Sequence, residues 1–221
     1  SCSHREQASV HRITEFVKYS YAGPLLKKEI EAIDSVILKK KEPVTCIIGG
    51  SKISTKINII LSLIKKVNNI VIVGAMANNF LLHKNIEIGK SLIENDSRKI
   101  VEKILLESKK TNCKIIIPED FKISESFEGS GMFRKQGEIN KNEIILDIGP
   151  ITIKKIEEII DKSSTVLWNG PAGYFENNNF AKGTYSIAKK ISKNTSSKSL
   201  ISIIGGGDTV SAINKIEIKL T

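Results

Sequence analysis

Six short apolar runs punctuate the chain: Val44–Ile48, Ile70–Val73, Lys114–Ile117, Ile144–Ile148, Thr165–Trp168 and Leu200–Ile204. They are bounded by Gly, Asn or Pro. Longer stretches with apolar residues at helical spacing lie between them, at Ser54–Val67, Asn95–Lys110, Thr152–Lys162 and Ala181–Lys193. A continuous apolar strand is what a sheet covered on both faces requires, and strand–helix alternation is the pattern of parallel pairing. The expected fold is therefore α/β: a doubly wound, Rossmann-like, parallel six-stranded sheet with helices on both faces. The N-terminal forty residues differ. Arg5 to Lys18 and Leu25 to Lys40 both read as helical, separated by the Ala22-Gly23-Pro24 break. The segment from Phe121 to Asn142 is polar and poorly periodic, and reads as a loop holding one or two short strands.

Composition narrows the class. A 221-residue chain with 40% hydrophobic and 26% charged residues is globular and needs no metal or disulfide staple to bury a core. No run approaches the 18 or so apolar residues that would span a membrane. The net charge of +10 comes mostly from Lys scattered over many segments, with Lys39-Lys40-Lys41 the one compact run. No aromatics interleave with it, so a nucleic-acid partner is not expected. The three cysteines, Cys2, Cys46 and Cys113, form no CxxC pair, and His4, His11 and His83 show no zinc spacing. That suggests a reducing, cytoplasmic setting without a structural metal. The start Ser1-Cys2-Ser3-His4 has no apolar signal region, and without Met it reads as the middle of something larger.

The chemistry should lie beyond the carboxyl ends of the strands, where open α/β sheets bind ligands. Four runs end there in small or polar clusters: Gly49-Gly50-Ser51-Lys52, Gly74-Ala75-Met76, Asn169-Gly170-Pro171-Ala172-Gly173 and Gly205-Gly206-Gly207-Asp208-Thr209. Such mouths present backbone N–H groups and helix N-termini to an anion and suit a phosphate-rich ligand. Neither GxxxxGK[ST] nor GxGxxG is present, which disfavours P-loop NTPases and dinucleotide dehydrogenases. Lys52 and Lys56, four residues apart at a helix start, would share one face and could hold phosphates, although a solvated Lys pair is commoner on spacing alone. Asp208 is either an N-cap or a ligand to Mg2+ bridging phosphates. Asn169-Gly170 could open a hairpin, but Pro171 and a helix follow it.

Together these clusters resemble the phosphoglycerate kinase family. The blocks that carry the resemblance, in order, are Gly49 to Ile57 (GGSKISTKI), Asp147-Ile148-Gly149-Pro150, Trp168 to Glu176 (WNGPAGYFE), Phe180-Ala181-Lys182-Gly183-Thr184 and Ile204 to Thr209 (IGGGDT). Ser3 to Ser9 (SHREQAS) and Ala22 to Leu26 (AGPLL) fit the segment before that family's interdomain helix. The resemblance covers nearly the whole chain. It implies reversible phosphoryl transfer between 1,3-bisphosphoglycerate and ADP, with Mg2+, in glycolysis, by an enzyme that is usually a monomer. Residues 1–22 would be the end of the substrate lobe, 23–41 the interdomain helix and 42–221 the nucleotide-binding domain.

The resemblance also implies roles. Lys52 and Gly206 would be catalytic, Lys52 steadying the transferring phosphoryl group. Lys56, Asn169, Gly206, Gly207 and Thr209 would hold the nucleotide phosphates, Glu176 the ribose, and Asp208 the Mg2+. Arg5, beside His4, would bind phosphoglycerate. The departures bear on activity. The earlier strands of the substrate lobe, with its Asp, Asn and Arg grips, do not occur in these residues, and Thr221 precedes the family's TGGGAS block. Val73-Gly74-Ala75 stands where three glycines are frequent, and Ile145 where glycine is common; both add bulk with modest expected effect. Holding two reactants in line is worth an effective molarity of about 10⁵–10⁸ M. The expectation is a weak Mg-nucleotide binder that transfers phosphate poorly unless a separate chain supplies the other lobe; the alternative is a noncatalytic nucleotide-binding remnant.

Overall fold

A computed structural model describes residues 12–21, 23, 24, 27, 31 and 41–215. The chain divides into two compact units, Ser1–Lys40 and Lys41–Thr221. In the first unit a 3-10 turn spans Arg12–Glu15 and buries none of its residues. Pro24, Lys27 and Glu31 are helical, with Lys27 and Glu31 paired at 3.8 Å. Residues 16–18, the end of the first expected helix, are not helical: the chain leaves the turn after Glu15, where nothing is buried to hold a further turn. Residues 5–11 and the rest of the second expected helix lie outside the described residues.

The second unit is built on a parallel sheet of five strands: β1 (Val44–Ile48), β2 (Asn69–Ile72), β3 (Lys114–Ile116), β7 (Thr165–Asn169) and β8 (Ile201–Gly205), in the order β3-β2-β1-β7-β8. Helices α1 (Ile57–Ile64), α2 (Met76–His83) and α3 (Ser97–Thr111) cover one face; α4 (Pro150–Asp161), α5 (Lys182–Ser196) and α6 (Gly207–Asn214) cover the other. The alternation of side chains along a strand sorts the core into two layers. Cys46, Ile48, Ile70 and Ile72 pack with Ile60, Ile64, Phe80, Val101 and Ile104. Ile47, Val71, Val166 and Trp168 pack with Ile153, Ile156, Ile160, Ile187 and Ile191. Every residue of the central strand β1 is buried, which explains its unbroken apolar run.

The sixth apolar run, Ile144–Ile148, is not in this sheet. As β6 it pairs antiparallel with β4 (Asp120–Ser124), which also pairs with β5 (Met132–Lys135), giving a second sheet in the order β5-β4-β6. β4 and β5 are the two short strands within the segment read as a loop holding one or two of them, β4 beginning one residue before it. An apolar run reports burial on two faces; it does not report which neighbour supplies its hydrogen bonds. Helix α2 also escaped the periodicity reading. Met76 to Leu81 are all buried, so the helix has no polar stripe to reveal its 3.6-residue period.

Asp120 ties the two sheets' elements together. It is buried on β4, and its carboxylate accepts from the backbone N–H groups of Ile151 (2.9 Å) and Thr152 (2.7 Å) and from the Thr152 hydroxyl (2.7 Å). It thereby satisfies the first turn of α4, whose own N-cap, Gly149, has no side chain to offer. Asp120→Ala should cost about 1–3 kcal/mol in urea unfolding, because buried donors lose their acceptor. Glu119→Ala, which removes only an exposed ion pair with Lys155, should cost less than about 1 kcal/mol.

Candidate functional site

The loops leaving β1, β7 and β8 converge because their backbones approach to contact. Gly49 N–H donates to the Asn169 carbonyl at 2.8 Å. A Cβ on Gly49 would sit 2.1 Å from the Pro171 carbonyl oxygen, and one on Gly170 would sit 2.3 Å from the Gly49 oxygen. No side chain fits between these chains. The buried Trp168 donates its Nε1–H to the Gly170 carbonyl at 2.8 Å, and Gly170 N–H donates to the Thr209 hydroxyl at 2.7 Å. The glycine clusters after the three strands are thus stitched into one rim.

That rim encloses a cavity of about 230 Å³ lined by Lys52, Lys56, Asn169, Gly206, Gly207, Asp208 and Thr209, with Gly50, Ser51, Thr55, Gly170 and Pro171. Residues from three separate loops therefore meet around one space. Lys56 is the most tightly held: its ammonium donates to the Gly49 carbonyl at 2.6 Å and to Asn169 Oδ1 at 2.8 Å. Burial pulls its pKa below the ordinary lysine value, and the negative charge of Asp208 works in the opposite direction.

One local expectation changes, and two alternatives left open by the sequence are narrowed. Lys52 and Lys56 do not share a helix face, because α1 begins at Ile57 with Lys56 at its N-cap position. The residues before it stay in turns, where Glu94 accepts from both the backbone and the hydroxyl of Ser54. The two lysines still line the same cavity. Asp208 is not an N-cap: that position of α6 belongs to Gly206, and no side chain caps the helix. Its exposed carboxylate is left free to face a ligand. Asn169-Gly170 opens no hairpin, since the next strand, β8, runs parallel to β7.

A second cavity of about 300 Å³ adjoins the first and shares Gly50, Ser51, Pro171 and Asp208 with it. Its walls are largely apolar, including Leu92, Phe121, Ile145 and Phe175, and Glu176 lies on its lining. Of the two bulky departures from the family pattern, Ala75 and Ile145 line this cavity, whereas the Val73 side chain packs in the core among α4–α6. Among the described residues no group of three His, Cys, Asp or Glu side chains could cage a metal. A lone carboxylate such as Asp208 fits Mg2+ that arrives on phosphates, since Mg2+ is usually bound by one or two carboxylates plus phosphate oxygens and water. Arg5 lies outside the described residues.

Asp147 was given no role by the sequence reading. It lies on β6 and lines the apolar cavity, with Oδ1 accepting from Ile148 N–H at 2.9 Å and Oδ2 from Gly183 N–H at 2.8 Å, at the start of α5. Gly173 and Gly183 both pack against its carboxylate, where a Cβ would lie 2.4 Å from Oδ1. Burial pushes its pKa up from 3.8 to about 7, against the opposing pull of its two backbone donors and of Lys122 and Lys182. The available signal was a carboxylate inside an otherwise apolar run.

The family model for phosphoglycerate kinase matches residues 1–220. The phosphoglycerate kinase of Wolbachia pipientis wMel is 46% identical over 215 residues, covering 97% of this chain and 54% of that protein. That of Chelativorans sp. strain BNC1 is 38% identical over 221 residues, covering 99% and 55%. The structure of phosphoglycerate kinase from Coxiella burnetii superimposes with a TM-score of 0.84 at 32% identity, over 98% of this chain and 55% of that one. The Pyrococcus horikoshii OT3 enzyme gives 0.80 at 28% identity, over 99% and 55%. The chain spans about half the length of the curated relatives it matches.

Because Asp147 binds a proton more tightly in the folded chain than in the unfolded one, stability should fall as pH rises from about 4 to about 7. Asp147→Asn should remove that component. Thermal melts of the two proteins across this range should show a difference in midpoint that changes steadily with pH and levels off above 7.

Proposed function

The chain belongs to the phosphoglycerate kinase family, and from that membership we propose that residues 42–221 are its Mg-nucleotide-binding domain. Residues 1–22 would then be the end of a phosphoglycerate-binding lobe, with Arg5 contacting that substrate, and residues 23–41 the connecting helix. The reaction is reversible phosphoryl transfer between 1,3-bisphosphoglycerate and ADP in glycolysis, in the cytoplasm. The partners are the two small substrates.

One observation carries the reading: a polar cavity with two lysines and an apolar cavity share the Asp208 corner. A nucleoside di- or triphosphate has that division, a charged tail joined to a largely apolar base and sugar. Lys56, anchored by Gly49 and Asn169, supplies a fixed positive charge to the phosphates. Gly206 and Gly207 present backbone N–H groups at the start of α6, where the helix dipole favours an anion. Lys52 and Thr209 line the polar cavity, where Lys52 would steady the phosphoryl group in transfer and Thr209 would join the phosphate side, and Glu176, on the apolar cavity, would hydrogen-bond the ribose. Asp208 would hold the Mg2+, which neutralises charge on the phosphate oxygens when bound. Phosphoryl transfer needs alignment and charge neutralisation more than covalent help, and these groups provide both on the nucleotide side.

In-line transfer also needs the second substrate held against the first. The 221 residues alone are therefore proposed to bind Mg-nucleotide and to turn over slowly unless another chain supplies the remaining grip. Isothermal titration with Mg-ADP should show one saturable site. Lys56→Ala should weaken it by roughly 10- to 100-fold, the loss of one charge-assisted phosphate contact. No binding by the folded chain would overturn the reading.

A further inference from the structure

Lys56 is fixed by its own hydrogen bonds, but Lys52 depends on the backbone that carries it. Residues 50–54 lie between β1 and α1, and both ends of that span are tied to α2. At one end the Gly50 carbonyl accepts from Met76 N–H at 2.9 Å. At the other, Glu94 accepts from Ser54 N–H at 2.9 Å and from the Ser54 hydroxyl. Glu94 is itself held on α2, since its N–H donates to Asn79 Oδ1 at 3.0 Å. Asn79 is buried, and its Nδ2 donates to the carbonyl of Met76 at 3.1 Å, the same residue that meets Gly50. Asn78 Nδ2 donates to the Leu92 carbonyl at 2.9 Å and fastens the chain two residues before Glu94.

This circuit brackets Lys52, which lies midway between the two fixed ends and lines the polar cavity. Ile53, next to it, is fully buried with Ile60 and Phe80 and anchors the span from inside. The Glu94 carboxyl is held below the ordinary carboxylate value, first by the Ser54 hydroxyl and then by the Ser54 N–H; burial opposes this, and the charge of Lys52 adds to it. Glu94 is therefore ionised at neutral pH, where a charged acceptor makes a hydrogen bond roughly twice as strong as a neutral one. Without that clasp, the span would have to be ordered when a ligand binds, and the ordering would subtract from affinity.

We propose that Glu94 is a positioning residue for phosphoryl transfer: by clasping Ser54 it fixes the far end of the span that carries Lys52, and so aims the lysine at the phosphoryl group in transfer. It acts only through that lysine. This rests on the nucleotide reading of the two cavities.

The test is calorimetric titration of the full chain with Mg-ATP, which carries the transferable phosphoryl group, and with Mg-ADP, which lacks it. Glu94→Ala should weaken Mg-ATP roughly tenfold, about the worth of one charge-assisted phosphate contact, and leave Mg-ADP within about twofold. Glu94→Gln, which keeps an acceptor for the Ser54 N–H and a donor for its hydroxyl, should restore most of the loss. In a Lys52→Ala background, adding Glu94→Ala should change Mg-ATP affinity less than about twofold, because no lysine is left to aim. Equal weakening of both nucleotides, no weakening, a Gln variant as poor as the Ala variant, or an undiminished effect in the Lys52→Ala background would each overturn the inference and leave the nucleotide reading standing. If Glu94→Ala does not fold, Glu94→Leu, which fills the space without an acceptor, is titrated in its place. Failure of both to fold would make Glu94 a structural residue and also overturn the inference. Failure of the wild-type chain to bind either nucleotide would overturn both.

Discussion

The rest of the site depends on the contact between the backbones that leave β1 and β7. Gly49 and Gly170 lie so close that neither position has room for a Cβ. That approach lets the Lys56 ammonium reach the Gly49 carbonyl and the Asn169 side chain together. It also brings Gly170 within reach of the Thr209 hydroxyl. Three loops that are far apart in sequence become one rim through this contact. Spread them by an ångström or two and the lysine, the amide and the first turn of α6 would no longer face a common space.

Around that rim the protein tolerates electrostatic strain. Lys56 is partly desolvated, and two oxygens and the nearby Asp208 compensate it. Asp147 is more deeply desolvated, and two backbone donors offset only part of the cost of its charge. Asn78 is neutral but half-satisfied. Each of these groups lines a cavity, whereas Asp120 lines neither and is fully engaged by the start of α4. Three of the imperfectly paired polar groups, though not His83, thus line the cavities, and the well-paired carboxylate serves the start of a helix.

Much of this was legible along the chain. The runs at Val44, Asn69–Ile70, Lys114, Thr165 and Leu200–Ile201 all open strands of the parallel sheet, and the glycine clusters after β1, β7 and β8 meet around one cavity. Lys52, Lys56, Asn169 and the Gly206–Thr209 block could be picked out because they stand in glycine clusters after strands and within blocks that resemble the phosphoglycerate kinase family. Helix α2 could not be recognised, since burial of its first six residues, Asn78 and Asn79 among them, leaves no polar stripe at the helical period. The partner of β6 could not be recognised either: a short strand was expected near Phe121, but its residues do not say which neighbour supplies its hydrogen bonds.

The sequence by itself determined the class of fold, the family and the residue types around the lysine-lined cavity, because strand burial, helix period and loop glycines are local properties written into consecutive residues. Only the tertiary structure decided that β6 leaves the main sheet, that Asp208 is no cap, that Lys52 stands off the helix, and that Asn78 and Asp147 line a cavity. Those outcomes depend on which distant segments share a hydrogen bond or displace water, and such pairings are set by packing in three dimensions.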